Sequence, residues 1–259
     1  MLATKEAVKK YVILSYVIFL LLLMVVGLQI TFFPNDTLFW FIKTVCSWSP
    51  TFAVLILFKK LYPGKTRLEQ WKSWFSEKVS IKDLVFVIVM QIILFFISVF
   101  LTMTYKQVAF DQVVEFSMRA FLYSFINSAL SGALGEEAGW RGVLQPTCVS
   151  KHGLVKGSLI TGFIWGFWHT PLWFLTVPYK GIQLVEYIIF FMVTMVSASV
   201  IMEVTYEKNR NLIVPILIHF FINFIIMFSI DFNLEITVFL SLGYLILAWV
   251  MAWRSSKGK

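Results

Sequence analysis

Charged residues are scarce in this sequence, at 14% of 259 residues, whereas hydrophobic residues make up 59%. Soluble domains carry about a quarter charged residues. The shortage of charge therefore excludes an ordinary soluble domain and predicts an all-α, polytopic membrane protein, with one helical-bundle domain over residues 1–259. The net charge of +8 is explained by Lys and Arg in cytoplasmic loops, and no basic stretch has the aromatic spacing of a nucleic-acid surface.

Motifs of several catalytic classes are missing as well. The two cysteines, Cys46 and Cys148, show no metal-site spacing, and no disulfide between them is expected. The sequence contains neither the Gly-x-Ser-x-Gly elbow of serine hydrolases nor the His-Glu-x-x-His pair of zinc peptidases. An aspartyl dyad would need two buried aspartates, but the apolar segments contain essentially none, and Asp231 falls at a predicted outer helix end.

Apolar runs long enough to cross a bilayer recur along the chain. They predict about eight transmembrane helices in a multi-pass protein, located in the cell membrane if the source is bacterial. Both termini are expected to be cytoplasmic, because most of the 22 Lys and Arg residues then lie on the inner side. The predicted spans are residues 11–31, 38–58, 84–105, 117–145, 156–175, 184–204, 212–230 and 234–253.

The longest connection, residues 59–83, is predicted to be cytoplasmic. It carries Trp71, Trp74 and Phe75 among its lysines. This composition suits an amphipathic helix on the inner leaflet, and it equally suits an ordinary basic loop with interfacial aromatic residues.

Two glutamates interrupt the fourth predicted span. Glu136 and Glu137 are adjacent, and Arg141 follows Glu137 by four residues. Because residues four apart share a helix face, Glu137 can pair with Arg141, whereas Glu136 is rotated by about 100° and points elsewhere. The spacing predicts Glu137 as a structural brace and Glu136 as the base. This assignment requires a helix unbroken through Arg141, because a kink at Gly139 would exchange the two roles.

Three further polar side chains fall inside the fifth and seventh spans. His169 stands one turn after Trp165, and His219 and Asn223 are four residues apart and share a helix face. At about 1.5 Å per residue, these groups and Glu136 reach compatible depths. Each one alone is a common helix-packing group, but several at one depth indicate an inward-facing site.

Together these groups can carry hydrolysis by activated water. A carboxylate beside a histidine in a partly dry pocket can hold and deprotonate water, which suits Glu136 and His169. His219 and Asn223 can donate hydrogen bonds to an oxyanion. Two histidines and a carboxylate are also a known zinc-ligand set, so Glu136, His169 and His219 are candidate metal ligands. The residues do not choose between zinc-bound water and water held by the protein alone.

These polar segments resemble the motifs of the CPBP family, the CAAX-protease and bacteriocin-processing group that is also called Abi. The family pattern is Glu-Glu-x-x-x-Arg, then Phe-x-x-x-His, then His-x-x-x-Asn or a similar small or polar ending, and its order and separation match over roughly residues 116–230. Trp165 stands where the family usually has Phe, and we expect it to alter the substrate cleft more than the chemistry. The matching segments are Glu136-Glu137-Ala138-Gly139-Trp140-Arg141, Trp165-Gly166-Phe167-Trp168-His169 and His219-Phe220-Phe221-Ile222-Asn223.

The resemblance implies an intramembrane endopeptidase that acts near the cytoplasmic membrane face. Glu136 would activate water with His169 assisting, and His219 with Asn223 would steady the oxyanion. The implied substrate is a peptide or protein, such as a prenylated C-terminus, a peptide pheromone or a bacteriocin precursor, in contact with membrane lipids and not with nucleic acid. The alternatives are a non-catalytic bacteriocin-immunity or partner-binding protein of the same fold, and a transporter. The transporter is disfavoured because the chain has no paired halves with matching broken helices.

Overall fold

The computed structural model describes residues 3–230 and 233–257, so Asp231 lies outside the described residues. In those residues the chain is a bundle of helices, with one isolated antiparallel bridge between Val114 and Ser229. The helices are α1 (Lys5–Phe32), α2 (Asp36–Ser47), α3 (Ser49–Leu61), α4 (Arg67–Phe75), α5 (Ile81–Lys106), α6 (Met118–Ser128), α7 (Leu134–Gly139), α8 (Gln145–His152), α9 (Leu154–Trp168), α10 (Thr170–Leu175), α11 (Gly181–Asn209), α12 (Ile213–Ile226) and α13 (Leu234–Lys257), with a 3-10 turn at Phe110–Gln112 and π-helical segments at Ala129–Ala133 and Trp140–Leu144.

The long helices coincide with predicted apolar runs. Within the described residues, α1, α5, α11 and α13 are each long and apolar enough to cross a membrane. The pair α2 and α3 adds a fifth such segment if the two helices, bent by 45°, are counted as one span. These helices confirm a multi-pass integral membrane bundle. The count of about eight spans and the cytoplasmic position of the termini stay predictions.

Two predicted spans are divided at a proline. The span predicted at residues 38–58 changes direction at Trp48, where Pro50 lies in the first turn of α3. The span predicted at residues 156–175 is interrupted at His169, where Pro171 lies in the first turn of α10. Proline has no backbone N–H and its ring clashes with the carbonyl four residues earlier, so a preceding helix does not run through it. His169 therefore lies at a helix junction.

The fourth predicted span follows a helical path through two π-helical segments. The path runs from α6 through Ala129–Ala133, α7 and Trp140–Leu144 into α8. Ser131 departs from helical geometry, with φ −96° and ψ 28°, whereas Gly139 and Trp140 both have helical dihedral angles. Helix therefore continues from the two glutamates to Arg141. Single π turns inside α-helices frequently occur at functional sites.

The bundle surrounds α7 from two sides. On one side α1 packs against α2 and α3, and α3 packs against α7. On the other side α11 packs against α9 and α13, while α5 packs against α12 and α13. Residues 135–139 of α7 are all buried. The two adjacent glutamates thus lie in the interior of the bundle.

Glycine allows close packing on the face of α7 that meets α1 and α3. A Cβ built on Gly139 would lie 2.7 Å from Pro50 Cβ in α3 and would overlap the Tyr11 hydroxyl of α1. Tyr11 is fully buried and meets Trp140 edge to face at 6.0 Å between ring centroids. The absence of a side chain at Gly139 therefore sets how closely α1 and α3 approach the glutamate-bearing helix.

The predicted cytoplasmic connection contains a short helix, α4. Its first turn is closed by a capping box, in which Glu69 N–H donates to Thr66 Oγ1 at 3.2 Å and Thr66 N–H donates to Glu69 Oε2 at 2.7 Å. Trp74 is buried and packs edge to face on Tyr62, whereas Trp71 is 55% exposed. One tryptophan of the predicted interfacial set therefore belongs to the core, and the position of α4 on the inner leaflet stays a prediction.

We expect Gly139→Ala to destabilise the bundle by about 1–3 kcal/mol, the usual cost of overpacking. The added methyl group would meet the backbone carbonyl carbon of Pro50 at 3.1 Å as well as the side chains of Pro50 and Tyr11. Backbone atoms cannot turn aside as a flexible side chain can. Thermal unfolding of the purified protein in detergent measures the loss.

Gly27→Ala is the matched control, because Gly27 lies within α1 and a Cβ there would have no neighbour within 4 Å. Its stability should be unchanged or slightly raised, since alanine is the better helix former. An equal loss in both variants would contradict the packing explanation.

Candidate active site

The predicted catalytic side chains line one cavity inside the bundle. The cavity has a volume of about 330 Å³ and is bordered by Glu136, His169, His219 and Asn223. These residues come from α7, the α9–α10 junction and α12. The structure thus brings together groups that are up to 87 positions apart in the numbering of the sequence.

Glu136 is held by two tryptophan side chains. Its Oε2 accepts hydrogen bonds from Trp165 Nε1 at 2.6 Å and from Trp140 Nε1 at 3.2 Å. Both indoles are fully buried, and Glu136 itself is 3% exposed. Phenylalanine, the usual family residue at the position of Trp165, could not donate this bond. The departure that was expected to affect mainly the substrate cleft therefore contacts the proposed base directly.

Glu137 does not border the cavity and is fully buried. Its Oε1 accepts from Arg141 Nη1 at 3.0 Å and from His219 Nδ1 at 2.6 Å. Arg141 also donates from Nη2 to Ser199 Oγ at 3.1 Å, and its guanidinium lies 4.0 Å from the ring centroid of Trp165. The pairing that the spacing predicts is thus present, and it extends to α11, α9 and α12.

In both histidines, the ring nitrogen Nδ1 contacts an oxygen atom of another residue. His169 Nδ1 lies 2.9 Å from the carbonyl oxygen of Trp165, which can only accept, so this nitrogen carries the proton. His219 Nδ1 likewise faces the carboxylate of Glu137. In each ring Nε2 is left for other partners. A neutral ring accepts at Nε2, whereas His219 can donate there only as an imidazolium, for which Glu137 supplies the opposite charge.

His219 and Asn223 both approach the chain at Gly132, in the first π-helical segment. A Cβ on Gly132 would lie 2.5 Å from Asn223 Nδ2 and 3.4 Å from His219 Nε2. The glycine therefore lets α12 bring both polar groups up to the glutamate-bearing helix. Asn223 also borders a second cavity of about 500 Å³ between α11, α12 and α13.

Another part of the cavity wall holds polar residues that lie outside the three motifs. Lys43 of α2 borders the cavity and donates from Nζ to Asn127 Oδ1 of α6 at 3.3 Å. Ser131, which also borders the cavity, lies 2.7 Å from Thr44 through their hydroxyl oxygens. The available signal was Lys43 itself, a lysine inside an apolar predicted span.

The candidate metal ligands are not arranged as a metal site. Among residues 3–230 and 233–257, no three or more His, Cys, Asp or Glu side chains form a group that could hold a metal ion. Glu136 Oε2 is engaged by two indole N–H groups, and Nδ1 of His169 and of His219 is engaged by a carbonyl and a carboxylate. These contacts leave Nε2 of each histidine available, as in metal-bound histidines, so zinc binding by Glu136, His169 and His219 stays a prediction to be tested.

Comparison with known proteins covers the part of the chain that holds these groups. Residues 118–225 match the family model described as type II CAAX prenyl endopeptidase Rce1-like. These residues are thus similar to the CPBP family. The match lies within the segment 116–230 that the motifs indicate, and it confirms the family resemblance. Lys43 and Tyr11 lie outside residues 118–225.

One curated relative is similar to part of the chain, over a length comparable to that of the family match. CAAX prenyl protease 2 from Methanococcus maripaludis is 33% identical over 95 residues, which cover 35% of this chain. The chain spans about a third of the length of this curated relative, since the aligned part is 35% of that protein.

We expect removal of either member of the Glu137–Arg141 pair to be strongly destabilising. Arg141→Met would leave the buried Glu137 carboxylate with His219 as its one remaining partner in the described residues, and Glu137→Gln would leave the guanidinium without its countercharge. Breaking a buried pair in this way costs about 3–5 kcal/mol. Thermal unfolding of both single variants and the double variant measures the coupling, and the double variant should lose less than the sum of the singles.

Lys106→Met serves as the control, because Lys106 pairs with Glu235 at 3.3 Å but is 40% exposed. Exposed pairs contribute about 0–1 kcal/mol. Strict additivity of the Glu137 and Arg141 losses would contradict a shared ion pair.

Proposed function

We propose that this protein is an intramembrane endopeptidase that hydrolyses a peptide bond with water held by Glu136 and His169. The observation that carries the proposal is that Glu136, His169, His219 and Asn223 all border one cavity. An acid, a histidine and two potential oxyanion donors are the groups that amide hydrolysis by activated water requires. The CPBP match of residues 118–225 supports the same reaction class.

The proposed reaction begins with a water molecule between Glu136 and His169. Glu136 accepts a proton from the water while Nε2 of His169 accepts its second hydrogen bond and orients it. The water oxygen attacks the carbonyl carbon, and the carbonyl oxygen becomes an oxyanion that Asn223 Nδ2 and protonated His219 stabilise. Collapse of this intermediate breaks the C–N bond, and Glu136 returns the proton to the leaving amine. One water is consumed and one acid and one amine are formed.

The substrate is proposed to be a peptide or protein segment that reaches the cavity near the predicted cytoplasmic face. The name of the curated relative, CAAX prenyl protease 2, favours a prenylated C-terminus. Peptide pheromones and bacteriocin precursors are further substrates of suitable chemistry. The cavity is lined by both polar and apolar side chains, which suits an amide bond flanked by apolar groups.

We expect Glu136→Gln to abolish peptide hydrolysis, with turnover lowered on the order of 10²- to 10⁴-fold, because the amide cannot accept the proton of water. Glu203→Gln is the matched control, since Glu203 is also buried, at 5% exposed, but does not border the cavity. Cleavage of candidate peptides by the purified protein, followed by mass spectrometry, measures both. Undiminished turnover in Glu136→Gln would overturn the mechanism. If cells that carry Glu136→Gln keep the phenotype of cells with the native protein, the non-catalytic immunity or partner-binding function is favoured.

We further propose that the protein itself holds the attacking water, because the three candidate ligands do not form a metal-holding group. Protein purified without added metal should contain far less than one zinc per chain, and its activity should survive chelation. Elemental analysis and a peptide-cleavage assay before and after chelator treatment test this. Activity that falls on chelation and returns with zinc would establish the zinc-dependent alternative.

A further inference from the structure

Lys43 places a cation in the wall of the proposed catalytic cavity. It lies on α2, within an apolar segment, and borders the same cavity as Glu136 and His169. At about 1.5 Å per residue, its Cα is roughly 10 Å from the start of α2 at Asp36. The lysine is therefore in the interior of α2 and not at its start, and its side chain is partly buried.

The ammonium group of Lys43 has spare hydrogen-bonding capacity. One of its three N–H donors goes to Asn127 Oδ1 at 3.3 Å. The amide of Asn127 is oriented by its other end, where Nδ2 donates to Met227 Sδ at 3.4 Å. In the part of the chain that the structure describes, no other side chain or carbonyl accepts from Lys43. Its remaining donors can serve a ligand in the cavity.

Lys43 also has no countercharge among residues 3–230 and 233–257. The ion pairs there involve other residues, and Glu136 lies beyond ion-pair distance of the Lys43 ammonium. Its polar neighbours along the cavity wall, Asn127 and Ser131, are uncharged. A lysine at membrane depth is unfavourable unless an anion compensates it. An anionic group that entered the cavity would therefore bind most favourably beside Lys43.

We propose that Lys43 is a substrate-binding residue that takes a carboxylate of the peptide. This inference rests on the proposed peptidase function and names its substrate class as peptides that carry a carboxylate near the bond to be cleaved. The carboxylate can be the free C-terminus or an acidic side chain, since both offer the same two oxygens to an ammonium. Placing this group at Lys43 also keeps it apart from the carboxylate of Glu136.

The test measures peptide binding without turnover. Glu136→Gln protein in detergent is titrated separately with three fluorophore-labelled preparations of short apolar peptides. The first has a free C-terminal carboxylate, the second is the C-terminal amide, and the third is an amide that contains one glutamate. The free acid should bind on the order of tenfold or more tightly than the plain amide, as expected for a charged hydrogen bond. Adding Lys43→Gln should remove this preference, and Lys43→Arg should retain part of it.

The glutamate-containing amide distinguishes the two sources of the carboxylate. If it binds as tightly as the free acid, an acidic side chain suffices; if it binds like the plain amide, the C-terminal carboxylate is the ligand, and both results support the site. Lys106→Gln is the control for loss of one positive charge, because Lys106 pairs with Glu235 outside the cavity. It should leave the preference unchanged.

Equal affinity for acid and amide in the protein with intact Lys43 would overturn the inference, whether or not Lys43→Gln folds. The same holds if Lys43→Gln lowers the affinities for the acid and for the amide by the same factor, which would indicate a structural role.

Failure of the proposed peptidase function gives a different result. Protein with native Glu136 that prefers the acid but hydrolyses no peptide would contradict the peptidase function and leave the carboxylate site standing. Hydrolysis without discrimination would contradict Lys43 alone.

Discussion

The carboxylate of Glu137 has to compensate its charge without water, and this constraint shapes the centre of the molecule. Glu137 is fully buried on α7 and takes its partners from Arg141, one turn later, and from His219 on α12. Arg141 in turn reaches Ser199 on α11 and lies over Trp165 on α9. Four helices therefore meet around one ion pair, and a displacement of α12 would remove the His219 hydrogen bond from the buried carboxylate of Glu137.

The same arrangement separates support from chemistry. Glu137 holds His219 in place but does not border the cavity, whereas Glu136 borders it and is oriented by the indoles of Trp140 and Trp165. Groups that are already oriented before the substrate binds need little reorganisation during the reaction. In the proposed mechanism, the adjacent glutamates can thus act so differently because one faces a cation and the other faces the cavity.

Much of this site could be predicted from the sequence, and the reason is helical periodicity. A spacing of four residues places Glu137 beside Arg141 and His219 beside Asn223 whatever the surrounding fold. The indole bonds to Glu136 could not be predicted in this way, because they depend on how α9 lies against α7. Lys43 was visible as a charge in an apolar run, but its place in the cavity depends on the packing of α2 against the first π-helical segment, and it lies outside the family motifs.

The fold was predictable to a similar extent. Apolar length located the long helices, since crossing a membrane imposes that length on the sequence. The length of an apolar run does not show where a helix is interrupted, so it did not reveal the breaks near Pro50 and Pro171 or the two π-helical segments. These irregularities matter most around the cavity, because the second break places His169 at a junction and the first π-helical segment contains Gly132.

Gly132 gives the site a simple route to inactivity. The position that its Cβ would occupy lies 2.5 Å from Asn223 Nδ2 and 3.4 Å from His219 Nε2, the two groups proposed to stabilise the oxyanion. A methyl group there would overlap the Asn223 amide and touch His219 Nε2, while the residues of the three family motifs stayed the same. In the proposed mechanism, a homologue with alanine at this position would resemble a peptidase by its motifs but have one oxyanion donor, the Asn223 amide, displaced. One carbon atom at a position outside the motifs thus weakens the site that the motifs build.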